Sequence, residues 1–94
     1  MEIQFELKGN KGVFFISQQE ERLALMTFSK ASDSLLIIDH TEVGPALKGT
    51  GAGKKLVAAA VEYARINRMK ILPLCPFAKA MFDKTPEYQD VLSL

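Results

Sequence analysis

Three glycines alternate in the run Val43-Gly44-Pro45-Ala46-Leu47-Lys48-Gly49-Thr50-Gly51-Ala52-Gly53-Lys54-Lys55, at positions 49, 51 and 53. Glycine at this spacing removes the Cβ atoms that would keep an anion from successive backbone N–H groups, and it permits dihedrals closed to other residues. An apolar three-and-four repeat begins at Ala52, so the turn opens a helix. The first N–H groups of that helix lack partners, and its dipole favours negative charge at the same place. Lys48, Lys54 and Lys55 cluster there, while no Asp or Glu occurs between Val43 and Val61. Lysine in a first helical turn opposes the dipole at a cost on the order of some tenths of a kcal/mol each. A local rule broken in this way points to an anionic ligand that supplies the missing charge; the alternative is a tight turn flanked by ordinary solvated lysines.

Two phosphate motifs fail on the residues. For the P-loop pattern, Gly44 and Gly49 have the required spacing, but Thr50 stands where lysine is needed, and Gly53-Lys54 lacks the earlier glycine because Lys48 occupies its place. The dinucleotide fingerprint read from Gly49 has Lys54 in place of its third glycine, on a chain too short for the paired unit. Neither triphosphate hydrolysis nor hydride transfer is expected.

The elements that must position this turn follow from periodicity. Ile3, Phe5 and Leu7 alternate with Glu2, Gln4 and Glu6 as a strand with one wet face. Lys8 to Gly12 reads as a turn and Gly12 to Ser17 as a second strand, giving a hairpin. Gln18 to Arg22 is a polar connection, Leu23 to Ser29 a third strand, Ala31 to Asp33 a turn, and Ser34 to Val43 a fourth strand. The run Leu35-Leu36-Ile37-Ile38 predicts that both faces of this fourth strand are covered. Leu56, Ala60 and Ala64, with Val57 and Val61, give one apolar face to a helix from Ala52 to about Asn67. Lys70 to Leu74 is a fifth strand, Pro76 to Lys84 a second helix, Thr85-Pro86 its stop, and the remainder a frayed tail. The order β-β-β-β-α-β-α predicts an α/β mixed sheet in one minimal domain over residues 1–94, with a right-handed parallel crossover between strands four and five.

Bulk properties narrow the functions. Twelve Lys and Arg against eleven Asp and Glu give a formal charge of +1, which exerts no general pull on nucleic acid or anionic membrane. Gly9-Asn10-Lys11-Gly12 matches a GxxG loop, but strands flank it rather than helices, and the adjacent Phe14 and Phe15 face opposite ways. No nucleic-acid or membrane partner is expected. The acidic, alternating start is unlike a signal peptide, so the expected location is cytoplasmic. One His and one Cys cannot form a Cys/His metal site within the chain, and no metal is expected.

Val43, Pro45, Lys48, Gly49, Gly51, Gly53 and Leu56 resemble the acetyl-CoA loop of the GNAT acyl-CoA N-acyltransferase superfamily. Lys48 takes the position of its Gln or Arg, and Gly51 and Gly53 take its two small positions. His40-Thr41-Glu42-Val43 and the block from Ile71 to Ala78 with Pro86-Glu87-Tyr88 are similar to the small single-domain YjdJ-like N-acetyltransferase branch. The resemblance implies a compact GNAT-like fold whose fourth and fifth strands splay apart to admit acetyl-CoA, a gap into which Pro73 fits because it lacks an N–H. It implies cofactor contacts from Val43, Lys48, Gly49, Thr50, Gly51, Ala52, Gly53, Lys54, Cys75 and Phe82. Further, it implies direct attack by a primary amine, on a small molecule or a protein, with the oxyanion held by a backbone N–H near Val43 or Gly44. The oligomeric state is not implied.

The catalytic candidates are His40, Glu42 and Cys75. His40 and Glu42, two apart near a strand end, share a face and could take the proton of the amine, with Asp39 and Thr41 opposite unless a bulge intervenes. Cys75, between the fifth strand and the second helix, admits three readings: inert core residue, pocket wall beside the thioester, or acyl-accepting nucleophile. The superfamily pattern of Asn, two residues, Ala, three residues, Tyr falls here on Cys75, Ala78 and Phe82. Phe82 therefore lacks the hydroxyl that protonates the leaving thiolate, which keeps open a non-catalytic acyl-CoA binding or regulatory module.

Overall fold

Alternating strands joined by two-residue turns build most of the sheet. In the computed structural model, which describes residues 2–93, β1 (Gln4–Lys8), β2 (Lys11–Gln18), β3 (Glu21–Ser32) and β4 (Leu35–Val43) form an antiparallel meander, and β5 (Lys70–Pro73) joins β4 in parallel. The order is β1-β2-β3-β4-β5. Helix α1 (Ala52–Ile66) connects β4 to β5, and α2 (Pro76–Lys84) follows β5. The polar connection expected over Gln18–Arg22 shrinks to Gln19-Glu20, both with left-handed φ (53° and 67°), the geometry that matches the twist of a tight hairpin. Strand β3 is longer at both ends than its apolar stretch, because backbone bonds to two neighbours extend a strand past its patterned core.

One face of the sheet carries the core. Phe14, Ile16, Ala24, Met26, Phe28, Leu36 and Ile38 pack against Leu56, Val57, Ala60, Val61 and Ala64 of α1, all buried. Phe5, Phe14, Phe28 and Tyr63 form an aromatic group with ring centroids 5.1–6.2 Å apart. On the opposite face, Leu23, Leu25, Leu35 and Ile37 are only half-buried, and Phe15 is buried beneath the Arg22 guanidinium, 4.0 Å from the ring centroid. The expectation that both faces of Leu35–Ile38 are covered is therefore corrected. An unbroken apolar run does not say how many layers the rest of the chain supplies.

The expected frayed tail is also corrected. A 3-10 turn at Pro86–Val91 follows α2, and Leu92 bridges Ile71 in parallel. Arg65 holds the segment with a forked pair, Nε to Asp90 Oδ2 at 3.0 Å and Nη2 to Asp90 Oδ1 at 2.9 Å, and Nη2 also donates to Glu87 O at 2.7 Å. The Arg65 hydrogen bond holds the Asp90 carboxyl below its ordinary pKa. Among the described residues no helix is long and apolar enough to cross a membrane, and no group of His, Cys, Asp and Glu is placed to hold a metal.

Candidate active site

A bulge in β4 decides which side chains reach the interior. Phe28 pairs with Ile38 and Thr27 with His40, leaving Asp39 as the extra residue. Ile38 faces α1, Asp39 and His40 both lie on the open face, and the alternation resumes inverted, so that Thr41 and Val43 turn inward opposite Met26 and Ala24. His40 and Glu42 do share a face, with Nε2 and Oε2 3.5 Å apart, and their side chains are 63% and 68% exposed. Asp39 joins them rather than opposing them, its carboxylate accepting from Ser29 Oγ at 2.8 Å.

Beyond the bulge, β4 loses one neighbour. Its pairing with β5 ends at Ile38 and Pro73, and the last rung is Leu74 N–H to Ile38 O at 3.1 Å. Strand β4 continues to Val43 past the end of β5, so a gap opens between the two strands. The expected part of Pro73 in that gap is corrected: Lys70 and Leu74 turn their N–H groups to β4, so by alternation Ile71 and Pro73 face the other edge, where Ile71 O accepts from Ser93 N–H. Gly44 N–H donates to Leu23 O at 2.8 Å, which removes it as an oxyanion donor. By antiparallel alternation, Thr41 and Val43 then direct their backbone groups away from β3, toward the gap.

The glycine turn closes over the end of this gap. Pro45–Leu47 makes one 3-10 turn, and Leu47 O accepts both Thr50 N–H (3.2 Å) and Thr50 Oγ1 (2.6 Å), so neither donor of Thr50 is free. Gly49 (φ +78°) and Gly51 (φ +82°) are left-handed, and an added Cβ at either would meet nothing within 4 Å. Gly51 is the N-cap of α1 and has no capping side chain, and the first helical bond is Lys55 N–H to Gly51 O at 3.0 Å. The N–H groups of Ala52, Gly53 and Lys54 precede that bond and have no helical acceptor. A cleft of about 280 Å³ lies against them, lined by Val43, Leu47, Lys48, Gly49, Gly51 and Phe77 among others. Gly53 differs from its neighbours: a Cβ there would lie 2.5 Å from Phe77 Cζ, so this glycine admits a ring rather than an anion.

Cys75 is the N-cap of α2 and is buried. Its Sγ accepts from Ala78 N–H at 3.3 Å and touches Thr41 Oγ1 at 3.1 Å across the gap. Phe82 is fully buried two turns into α2, its ring 5.6 Å from that of Tyr88, and it does not line the cleft. The fold thus brings together Val43, Lys48, Gly49, Gly51, Ala52, Gly53 and Lys54 around the cleft, places Cys75 beside Thr41, and sets His40 and Glu42 on the open face of the same strand. Sequence reasoning gave Phe77 and Thr41 no role at the site: Phe77 is the second residue of α2, and Thr41 turns inward because of the bulge at Asp39.

The sequence model of the GCN5-related N-acetyl-transferase family matches residues 13–91. The chain belongs to this family. Among solved GCN5-related structures, a GCN5-like candidate N-acetyltransferase from Staphylococcus aureus, studied by NMR in solution, is 41% identical, with 96% of this chain and 87% of that one covered at a TM-score of 0.74. Two more distant structures share the fold. A candidate streptothricin acetyltransferase from Bacillus anthracis, in complex with acetyl coenzyme A, is 21% identical over 70% of this chain and 38% of that one, at a TM-score of 0.57. The ribosomal-protein-S18-alanine N-acetyltransferase from Escherichia coli is 13% identical over 83% and 53%, at a TM-score of 0.67. No curated protein matches the chain significantly. The five-stranded α/β arrangement is thus the GCN5-related fold in a short form.

Proposed function

We propose that the chain moves the acetyl group of acetyl-CoA to a primary amine by direct attack. The observation that carries this reading is the cradle at the start of α1: two left-handed glycines with open space above them, unpartnered helix N–H groups, and lysines at the rim, at the mouth of the β4–β5 gap. This donor set suits a pyrophosphate, and the apolar walls from Val43, Leu47, Ala52 and Phe77 suit an uncharged arm. Lys48, Gly49, Gly51, Ala52 and Lys54 hold the anionic end, and Gly53 seats the Phe77 ring beside it; Thr50 shapes the turn, its donors being committed to Leu47 O. Acetyl-CoA supplies an activated acetyl group: the amine nitrogen bonds to the carbonyl carbon, the carbon–sulfur bond breaks, and the sulfur leaves as thiolate.

Within that scheme, Val43 N–H faces the gap and is the backbone donor for the oxyanion. His40, with Glu42 beside it, takes the proton of the amine from the open face of β4, directly or through water. Cys75 stands close to the transferred group without forming a bond to it, because its sulfur serves as helix cap and as partner of Thr41, and the single histidine lies on the other face. The acceptor is a small-molecule or protein amine, and the uncovered face leaves room for either.

The test is CoA release from acetyl-CoA with a panel of primary amines, together with calorimetry. Gly51→Asn keeps a residue that tolerates left-handed φ but fills the cradle; undiminished acetyl-CoA affinity in that folded variant would remove the site assignment. Serine is a good N-cap, so Cys75→Ser preserves α2 and should retain turnover, whereas His40→Gln should lose most of it near neutral pH, where an amine is largely protonated. An acetyl adduct on Cys75 that forms and decays at the turnover rate, with Cys75→Ser inactive, would replace direct attack by a covalent route. A second reading, a non-catalytic acyl-CoA binding module, is favoured by Phe82 at the position of the usual tyrosine; tight binding with no CoA release for any amine would select it.

A further inference from the structure

We infer that Phe77 is a positioning residue, which fixes the uncharged arm of the cofactor and holds the Thr41–Cys75 pair at a set distance from the anion cradle. This rests on the acetyl-CoA reading above and goes beyond it by separating two parts of one cleft. The Phe77 ring lies over Gly53, where an added Cβ would approach Cζ, Cε2 and Cε1 to 2.5, 2.9 and 3.3 Å. Glycine at 53 therefore makes a seat for the ring. The ring remains 40% exposed and forms a wall of the cleft with Val43, Leu47 and Ala52, so its free surface faces whatever occupies that space. Two residues before it, Cys75 caps α2 and meets Thr41 of β4 at 3.1 Å. The ring is thus the contact that joins the start of α2, with its sulfur, to the start of α1, with its unpaired N–H groups. An aromatic wall offers nothing to a phosphate, but it contacts methylene and dimethyl groups over its whole face.

The test compares acetyl-CoA with 3′-phospho-ADP, which carries the same anionic end and no arm, by calorimetry on folded variants whose melting temperatures are recorded. Phe77→Ala should weaken acetyl-CoA about tenfold, the order expected for losing half of a phenyl contact, and leave 3′-phospho-ADP within about twofold. Gly53→Ala pushes the ring aside and should reproduce the same selective loss, yet add nothing further when combined with Phe77→Ala. Phe77→Leu, which keeps apolar bulk, should recover part of the acetyl-CoA affinity. Unchanged acetyl-CoA affinity in Phe77→Ala, equal losses for both ligands, or additive effects of Gly53→Ala and Phe77→Ala would each overturn the role of Phe77 while the cradle assignment stands. Failure of the unmodified protein to bind either ligand would overturn the cradle assignment and this inference with it.

Discussion

Two glycines of this chain lie under phenylalanine rings, and the two pairs behave as opposites. Gly12 sits on β2 beneath Phe28, a ring with 1% exposure, and a Cβ there would also stand 2.8 Å from the carbonyl oxygen of Glu6. Gly53 sits at the start of α1 beneath Phe77, which is 40% exposed. In the first pair the ring is packed among Phe5, Phe14 and Tyr63 and out of solvent; in the second the ring itself is a wall of the cleft. The antiparallel half of the molecule uses a missing side chain to seat a core ring, whereas the half around the β4–β5 gap uses one to seat a ring that borders a cleft. The same residue pairing is thus core in one place and site in the other, and solvent access to the ring is what separates them.

Truncating the two rings gives the sharpest contrast. Phe28→Ala should cost about 3–5 kcal/mol of unfolding free energy, measured by urea denaturation, because it empties a fully buried site. Phe77→Ala should cost less than about 1 kcal/mol and instead change ligand affinity. Equal stability losses would break the comparison. Filling the two seats comes next: Gly12→Ala should destabilise by about 2–3 kcal/mol, since neither Phe28 nor the Glu6 carbonyl can yield. Gly53→Ala should lower the melting temperature only slightly, because the atom it meets is the far end of an exposed ring. A smaller effect of opposite sign is expected at the β2–β3 turn. Replacing Gln19-Glu20 by Asn-Gly, which accept left-handed φ readily, should raise stability by about 0.5–1 kcal/mol and leave acetyl-CoA affinity untouched. A change in affinity would show that the antiparallel half reaches into the cleft.

The smallest effect belongs to the exposed Arg65–Asp90 pair. Its hydrogen bond to Arg65 depresses the Asp90 pKa in the folded state, so the unfolded chain binds the proton more readily. The stabilisation is therefore present above the ordinary aspartate value, about 3.9, and is lost as pH falls from there through the lowered folded value. Asp90→Asn should flatten that acid limb of the stability profile and leave the neutral-pH ligand affinity unchanged; an identical acid limb in Asp90→Asn would remove the pair from the account.

Much of this was legible because the signals are local. Ile3-Phe5-Leu7 announces its strand, the Leu56-Ala60-Ala64 repeat announces α1, and Pro76 and Thr85-Pro86 mark both ends of α2, which runs from Pro76 to Lys84. Gly49 and Gly51 were readable as the turn that opens α1 for the same reason, and both have left-handed φ. What escaped depends on residues far apart in the chain. Nothing near Gly53 says that Phe77 will stand over it. Nothing near Asp90 names Arg65, and Leu35–Ile38 cannot report that one of its faces lacks a covering layer. The bulge at Asp39 carries no glycine or proline to betray it, so the inward placement of Thr41 appears only once Thr27 and Phe28 of β3 have chosen their partners.

That bulge makes Asp39 a residue that β4 can do without. Its side chain lies exposed and accepts from Ser29, so most others can replace it at modest cost. Removing the residue altogether would join Ile38 directly to His40. The alternation would then run unbroken, with Ile38, Thr41 and Val43 inward and His40 and Glu42 outward, against the same partners in β3. A deletion at 39 therefore straightens the strand and leaves Thr41 beside Cys75, so the register of β4 resides in the residues on either side of the one the bulge sets aside.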